Sequence, residues 1–96
     1  MKRYTVVFSD EAIAEFAVSL EWGCENWGEE TAWRWYAEIR NSIRNTLSSF
    51  PLSQQVAPDD DEYEIEVRQM VIGRYRVLFT ISGKHVTILH LSGPFH

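Results

Sequence analysis

The chain has 96 residues, 45% of them hydrophobic, and a net charge of −5, the size of a single domain spanning 1–96 that buries roughly 60–70% of its unfolded surface. No apolar run approaches the roughly 18 residues of a membrane helix, and no apolar stretch of the secretory kind follows Met1-Lys2-Arg3, so no membrane association is expected. The acidic balance argues against a general nucleic-acid coat, because phosphate binding is driven by cationic surface. The single cysteine, Cys24, excludes an internal disulfide and points to a reducing cytoplasm.

Residues 2–9 (KRYTVVFS) are β-branched and predict a first strand. Ser9-Asp10-Glu11 supplies a helix start, with Ser9 or Asp10 as N-cap and acids in the first turn. Ile13, Phe16, Ala17, Leu20, Cys24 and Trp27 recur at three- and four-residue spacing and predict its buried face, with Cys24 a small core residue. Val18 and Trp22 form a second stripe, read either as packing under a loop or as a protein contact. Glu29-Glu30-Thr31 opens a longer helix that buries Ala32, Tyr36, Ile39, Ile43, Leu47 and Phe50, leaving Arg34, Arg40 and Arg44 largely off that face. Pro51 cannot extend it, and the short link around Gly28 makes the two helices an antiparallel hairpin.

Residues 51–63 (PLSQQVAPDDDEY) read as a loop. The run Asp59-Asp60-Asp61-Glu62 is a poor metal site, since calcium loops space their carboxylates on alternate residues with a turn glycine. A solvated acidic loop is expected, and no metal or cofactor. Residues 64–71 alternate and predict a strand burying Ile65, Val67 and Val71, with Glu66, Arg68 and Met70 opposite. For that set to share a face with the next strand, the link through Ile72-Gly73-Arg74 needs an odd loop or a bulge.

The last third, RYRVLFTIS-GK-HVTILHLS, predicts a hairpin turning at Ser82-Gly83 or Gly83-Lys84. Either turn places Tyr75, Val77, Phe79 and Ile81 with Val86, Ile88 and His90 on one face, assigned to the core because it is the more apolar. The other face carries Arg76, Leu78, Thr80, Leu89 and Leu91, and Pro94 ends the strand. The order β-α-α-β-β-β predicts an α+β fold with a helical hairpin packed on one face of a mainly antiparallel sheet. Charge is divided unevenly: all fourteen Asp/Glu lie in residues 1–66, whereas 67–96 carry Arg68, Arg74, Arg76 and Lys84. That asymmetry points to a basic face on an acidic body.

The segments TAWRWYAEI, L-x-x-FP and EVRQMVIGRYRVLFTISGKHVTILH resemble, in this combination and order, the RelE/ParE superfamily, the toxins of bacterial type II toxin–antitoxin modules. The resemblance implies a small toxin silenced by a cognate antitoxin, closer to ParE-like members that poison DNA gyrase. The alternatives it leaves open are a ribosome-dependent, metal-independent mRNA endoribonuclease of RelE type and a non-toxic remnant that only binds antitoxin. A ribonuclease needs a base, an acid and cations at the phosphorane, for which Arg76, Arg68 and Glu66 are the candidates. Glu66 beside arginines on a sheet is more often a plain ion pair. His90 matches the I-L-H of ParE-like members and is expected in the core, whereas His85 and His96 are expected at the surface. After His90 the chain reads LSGPFH, without the basic stretch of many relatives. For the antitoxin, Leu78, Leu89 and Leu91 rimmed by Arg68 and Arg76 are the expected groove, an apolar strip between cations that suits an acidic amphipathic segment.

Overall fold

In the computed structural model, which describes residues 3–93, the elements run β1 (Thr5–Phe8), α1 (Asp10–Trp27), α2 (Glu29–Ser49), β2 (Arg68–Ile72), β3 (Tyr75–Ser82) and β4 (His85–Ser92). The sheet order is β1-β4-β3-β2, with β1 parallel to β4 and the other pairs antiparallel. This is the expected α+β arrangement. Pro94 and His96 lie outside the described residues.

Ser9 caps α1, its Oγ accepting from the Ala12 amide at 3.1 Å. Of the expected stripe the helix fully buries Phe16 alone. Ala12, Phe16, Ser19 and Gly23 face inward, and Ile13 is 55% exposed. Close approach selects small side chains here: a Cβ on Gly23 would lie 3.0 Å from the Trp27 ring and 3.2 Å from the Ala32 Cβ. Cys24 is half-buried. Trp22 turns onto Trp27, edge to face at 5.3 Å, and Val18 stays exposed. On α2, Ala32, Ile39, Ile43 and Leu47 are buried as expected, with Tyr36 half-buried, but Phe50 is exposed beyond the helix end.

Both hairpins close through two-residue turns, Gly73-Arg74 and Gly83-Lys84, each with its glycine at φ +59°. A positive φ at the first central position is the type II′ geometry, which matches the twist of the flanking strands. The plain turn at Gly73 corrects the expected odd loop. Ile72 pairs with Tyr75 and Met70 with Val77, so Met70 and Ile72 join the helix-side core. Val71 and Ile65 are 62% and 53% exposed, and Val67 is buried on the opposite side of the sheet.

The irregularity lies in β4 instead. Phe79 pairs with Ile88 but Leu78 with His90, which leaves Leu89 as the extra residue of a bulge. Beyond it the facing reverses, and Leu91 sits opposite Val77 in the helix-side core. Leu91 is therefore fully buried rather than on the open face, and His90 is a half-exposed side chain rather than a core one. The bulge is fixed by α1: Ser9 Oγ donates to the Leu89 carbonyl at 3.1 Å, and Glu15 Oε1 accepts from the Leu91 amide at 3.1 Å. Because β1 ends at Phe8, β4 runs on past its parallel neighbour and meets helix side chains there. Glu15 Oε1 also lies 3.2 Å from His90 Nδ1.

The main core thus joins Phe16, Ile39, Ile43 and Leu47 to Val77, Phe79, Ile88 and Leu91. Tyr75 closes one end beneath Trp35, with ring centroids 5.3 Å apart. Burial pushes its phenol above 10.0, while a hydrogen bond with Ser19 works the other way.

Candidate functional site

The sheet face opposite the helices is covered by the chain between α2 and β2, and this strap changes the meaning of every residue the sequence singles out there. It leaves α2 through a 3₁₀ turn at Pro51–Ser53 and makes a second at Asp60–Glu62. Between them it pairs with the outer edge of β2: Ala57 donates to the Val67 carbonyl at 2.8 Å, and the Gln69 amide to the Gln55 carbonyl at 3.0 Å. Along Val67–Gln69 the edge is thereby closed to another chain. Ala57 then packs with Val67 and Leu78, flanked by Tyr63 and Leu89. Leu78, the centre of the expected groove, is 3% exposed, and Leu89 is half-buried beside it.

The acidic run fastens the strap. Arg76 makes a two-pronged contact with Asp59, Nη1 to Oδ1 at 3.2 Å and Nη2 to Oδ2 at 3.0 Å, and reaches Gln69 Oε1 at 3.3 Å. That hydrogen bond, with the charge of the guanidinium, holds the Asp59 carboxyl below its ordinary 3.8, against the opposing pull of desolvation. Asp60 Oδ1 accepts from the Val67 amide at 2.6 Å. Two of the four carboxylates expected in solvent are thus structural ligands of the sheet. No group of three or more metal-ligating side chains occurs among the described residues.

The cations of the C-terminal third do not form one basic face. Arg68 contacts Glu66 at 3.2 Å and donates to the Gln54 carbonyl at 2.6 Å, Arg76 is held by Asp59, and Arg74 and Lys84 occupy the two turns. Carboxylates of the acidic half thus pair with two of these four cations, Glu66 with Arg68 and Asp59 with Arg76. Of the expected site residues, Arg68 pairs with Phe79 and so falls on the helix side of the sheet, tied to Glu66, whereas Arg76 shares the strap side with Leu78; the two arginines do not rim one face, Leu78 is covered, and Leu91 is in the helix-side core.

Open surface lies elsewhere. A groove of about 480 Å³ runs between the outer edge of β1 and α2, lined by Val6, Val7, Phe8, Tyr36, Arg40 and Arg44 among others. Arg40 lies 5.8 Å from the Phe8 ring centroid and 5.5 Å from that of Tyr36, and Arg44 lies 5.4 Å from Phe8. A cleft of about 460 Å³ separates the Gly73-Arg74 turn from the helical hairpin, with Trp27, Trp35 and Tyr75 on its walls. The sequence signal for the first was available, because Arg40 and Arg44 sit four apart off the buried face of α2. What it lacked was the topology that makes β1 an edge.

No protein-family model matches the sequence, and no curated protein is significantly similar to it. Solved structures are. A chain of the chromosomal ParDE toxin–antitoxin system from P. aeruginosa superposes with a TM-score of 0.77 at 17% identity, over 95% of this chain and 96% of that one. A chain of the RelBE2 toxin–antitoxin complex from Mycobacterium tuberculosis gives a TM-score of 0.72 at 21% identity, over 100% of this chain and 97% of that one. The chain has the RelE/ParE fold. In this domain the strap over β2 and β3 pairs Arg76 with Asp59, and the β1 edge with α2 is left open.

Proposed function

We propose that the chain is the toxin of a bacterial toxin–antitoxin module, ParE-like in action, which binds a cellular target and is neutralised by a cognate antitoxin. The observation that carries this reading is the end-to-end superposition on chains of two toxin–antitoxin systems. DNA gyrase is the target proposed first. Binding is favoured over RNA cleavage by the state of the sheet cations. Arg76 is neutralised by Asp59 and Arg68 by Glu66, so neither stands free to receive a scissile phosphate.

Induced expression in a bacterial host tests this directly. Growth arrest that is relieved by co-expression of the adjacent small reading frame, together with loss of gyrase supercoiling activity in vitro, is the expected outcome. Codon-dependent mRNA cuts that disappear in Arg76→Ala would instead assign the ribonuclease activity. Normal growth without the partner would leave an antitoxin-binding remnant.

A further inference from the structure

We propose that the cleft between the Gly73-Arg74 turn and the helical hairpin binds a free aromatic amino acid, its ring among Trp27, Trp35 and Tyr75 and its ammonium and carboxylate at Glu38 and Arg74. The walls follow from the sequence. Trp35, Glu38, Ile39 and Ser42 recur at three- and four-residue spacing on α2 and so form one stripe along the helix. The β2–β3 turn supplies the other wall, and Trp27, the last residue of α1, completes the lining. The rings hold one another in place. Trp35 lies against Tyr75 with centroids 5.3 Å apart and a tilt of 42°, and meets Trp27 at 5.9 Å and 72°. Trp22, outside the lining, packs edge to face on Trp27 at 5.3 Å. A further ring joins such a set through the same edge-to-face and offset contacts that these rings make with each other.

The charges at the cleft specify the rest of the ligand. Glu38 and Arg74 both line it and both are exposed, and among the described residues neither has an ion-pair partner, the other included. Arg34, Arg68 and Arg76, by contrast, each have a carboxylate within 3.4 Å. Opposite charges that share a cleft without meeting are satisfied together by a molecule that carries both signs. A nucleotide or other polyanion would set charge against Glu38, and an organic cation alone would meet Arg74. A wholly apolar ligand would strip water from both without repayment. The volume, about 460 Å³, falls at the small end of the roughly 300–1,000 Å³ of small-ligand sites. It suits one ring system with its amino-acid backbone. The groove between β1 and α2 has a different character, with Arg40 and Arg44 but no carboxylate in its lining.

The test is a titration of the full chain with free L-tryptophan, followed by amide and indole N–H NMR. Tryptamine, which lacks the carboxylate, and indole-3-acetate, which lacks the ammonium, are titrated beside it. Saturable shifts are expected at the Gly73 amide and at the Trp27 and Trp35 indoles. Each analogue should bind about two- to five-fold more weakly than tryptophan, the size of one exposed ion pair. Glu38→Gln should weaken tryptophan by that factor and leave indole-3-acetate unchanged, and Arg74→Gln should weaken tryptophan and leave tryptamine unchanged. Both side chains are exposed, so the fold survives either change, and constant signals at buried Ile43 verify it. Failure to saturate, shifts confined to another surface, equal affinity for the three ligands, or a variant that weakens all three alike would overturn the assignment. The readout is binding alone, so the outcome is independent of growth arrest and of the toxin reading.

Discussion

The two faces of the sheet are closed by different physics. On one, the helical hairpin lays Phe16, Ile39, Ile43 and Leu47 against Val77, Phe79, Ile88 and Leu91, a continuous apolar layer with no charged member. On the other, three buried residues, Ala57, Val67 and Leu78, make a small cluster held by polar ties from Asp59 and Asp60. The first face closes by apolar burial, which is insensitive to pH and little affected by screening. The second is a strap whose closure depends on carboxylates staying ionised. The same face carries the arginine that the ribonuclease reading would need, so in this protein the latch and the loss of a free cation are one feature.

That contrast is broken or sharpened most strongly by deletions in the two clusters. Phe79→Ala empties the centre of the main core and should cost about 3–5 kcal/mol in denaturant unfolding. Leu78→Ala should cost nearer ~2 kcal/mol, because the strap above it can settle into the space while the helices cannot. Equal losses would mean that the strap is as rigid as the hairpin. The pair Leu78→Asp and Leu89→Asp, attractive from the sequence as a binding-site knockout, should instead detach the strap, since Leu78 is buried beneath it.

A smaller effect probes the end of the helix-side core. A Cβ on Gly93 would lie 2.3 Å from Tyr75 Cε1 and 2.5 Å from Cδ1, so Gly93→Ala must displace the ring from beneath Trp35. About 1–3 kcal/mol of destabilisation is expected, with a change in tryptophan fluorescence. Smaller again is Ser9→Ala, which removes the α1 cap and the tie to the Leu89 carbonyl together. A loss of about 1 kcal/mol in thermal or denaturant stability is expected. A negligible loss would show that Glu15 alone holds the bulge.

The hairpin from Tyr75 to Ile88 was legible in the sequence because its turn chemistry and its alternation agree. The same holds for Ser9 as cap and for Ala32, Ile39, Ile43 and Leu47 on α2. The failures share a cause: facing was read from alternation on the assumption that one side of the sheet meets water. With the strap on the far side, the start of β2 is covered on both faces, and Val67 and Met70 are buried in opposite directions. The bulge at Leu89 leaves no mark in composition, yet it moves Leu91 and His90 to opposite sides from those expected. Its cause is tertiary, the ending of β1 one strand away. Likewise nothing local marks Asp59 as the partner of Arg76, seventeen residues on. A run of acids followed by a run of bases is the only hint, and it fits two separate surfaces as well as one closure.

The latch itself makes the finest prediction. Asp59 sits below 3.8 in the fold because Arg76 hydrogen-bonds its ionised form. The folded state therefore holds that proton less tightly than the unfolded chain does. The sign follows by linkage: the latch contributes fully above the unfolded value, and the contribution is lost as pH falls through the lower folded value. Closure of the strap should thus be independent of pH through neutrality and fail only in acid. It would be followed by the methyl NMR signals of Val67 and Leu78, with those of Ile43 and Ile88 as the reference face. Asp59→Asn, which cannot ionise, should abolish that acid step and leave the Ala57 and Gln69 amides faster to exchange at neutral pH, with global unfolding barely altered. High salt should move wild type toward the variant, because the pair is partly exposed and screened. If Val67 and Leu78 keep their signals in Asp59→Asn, the strap is held by its own apolar cluster and by Asp60, and the two faces differ in size alone.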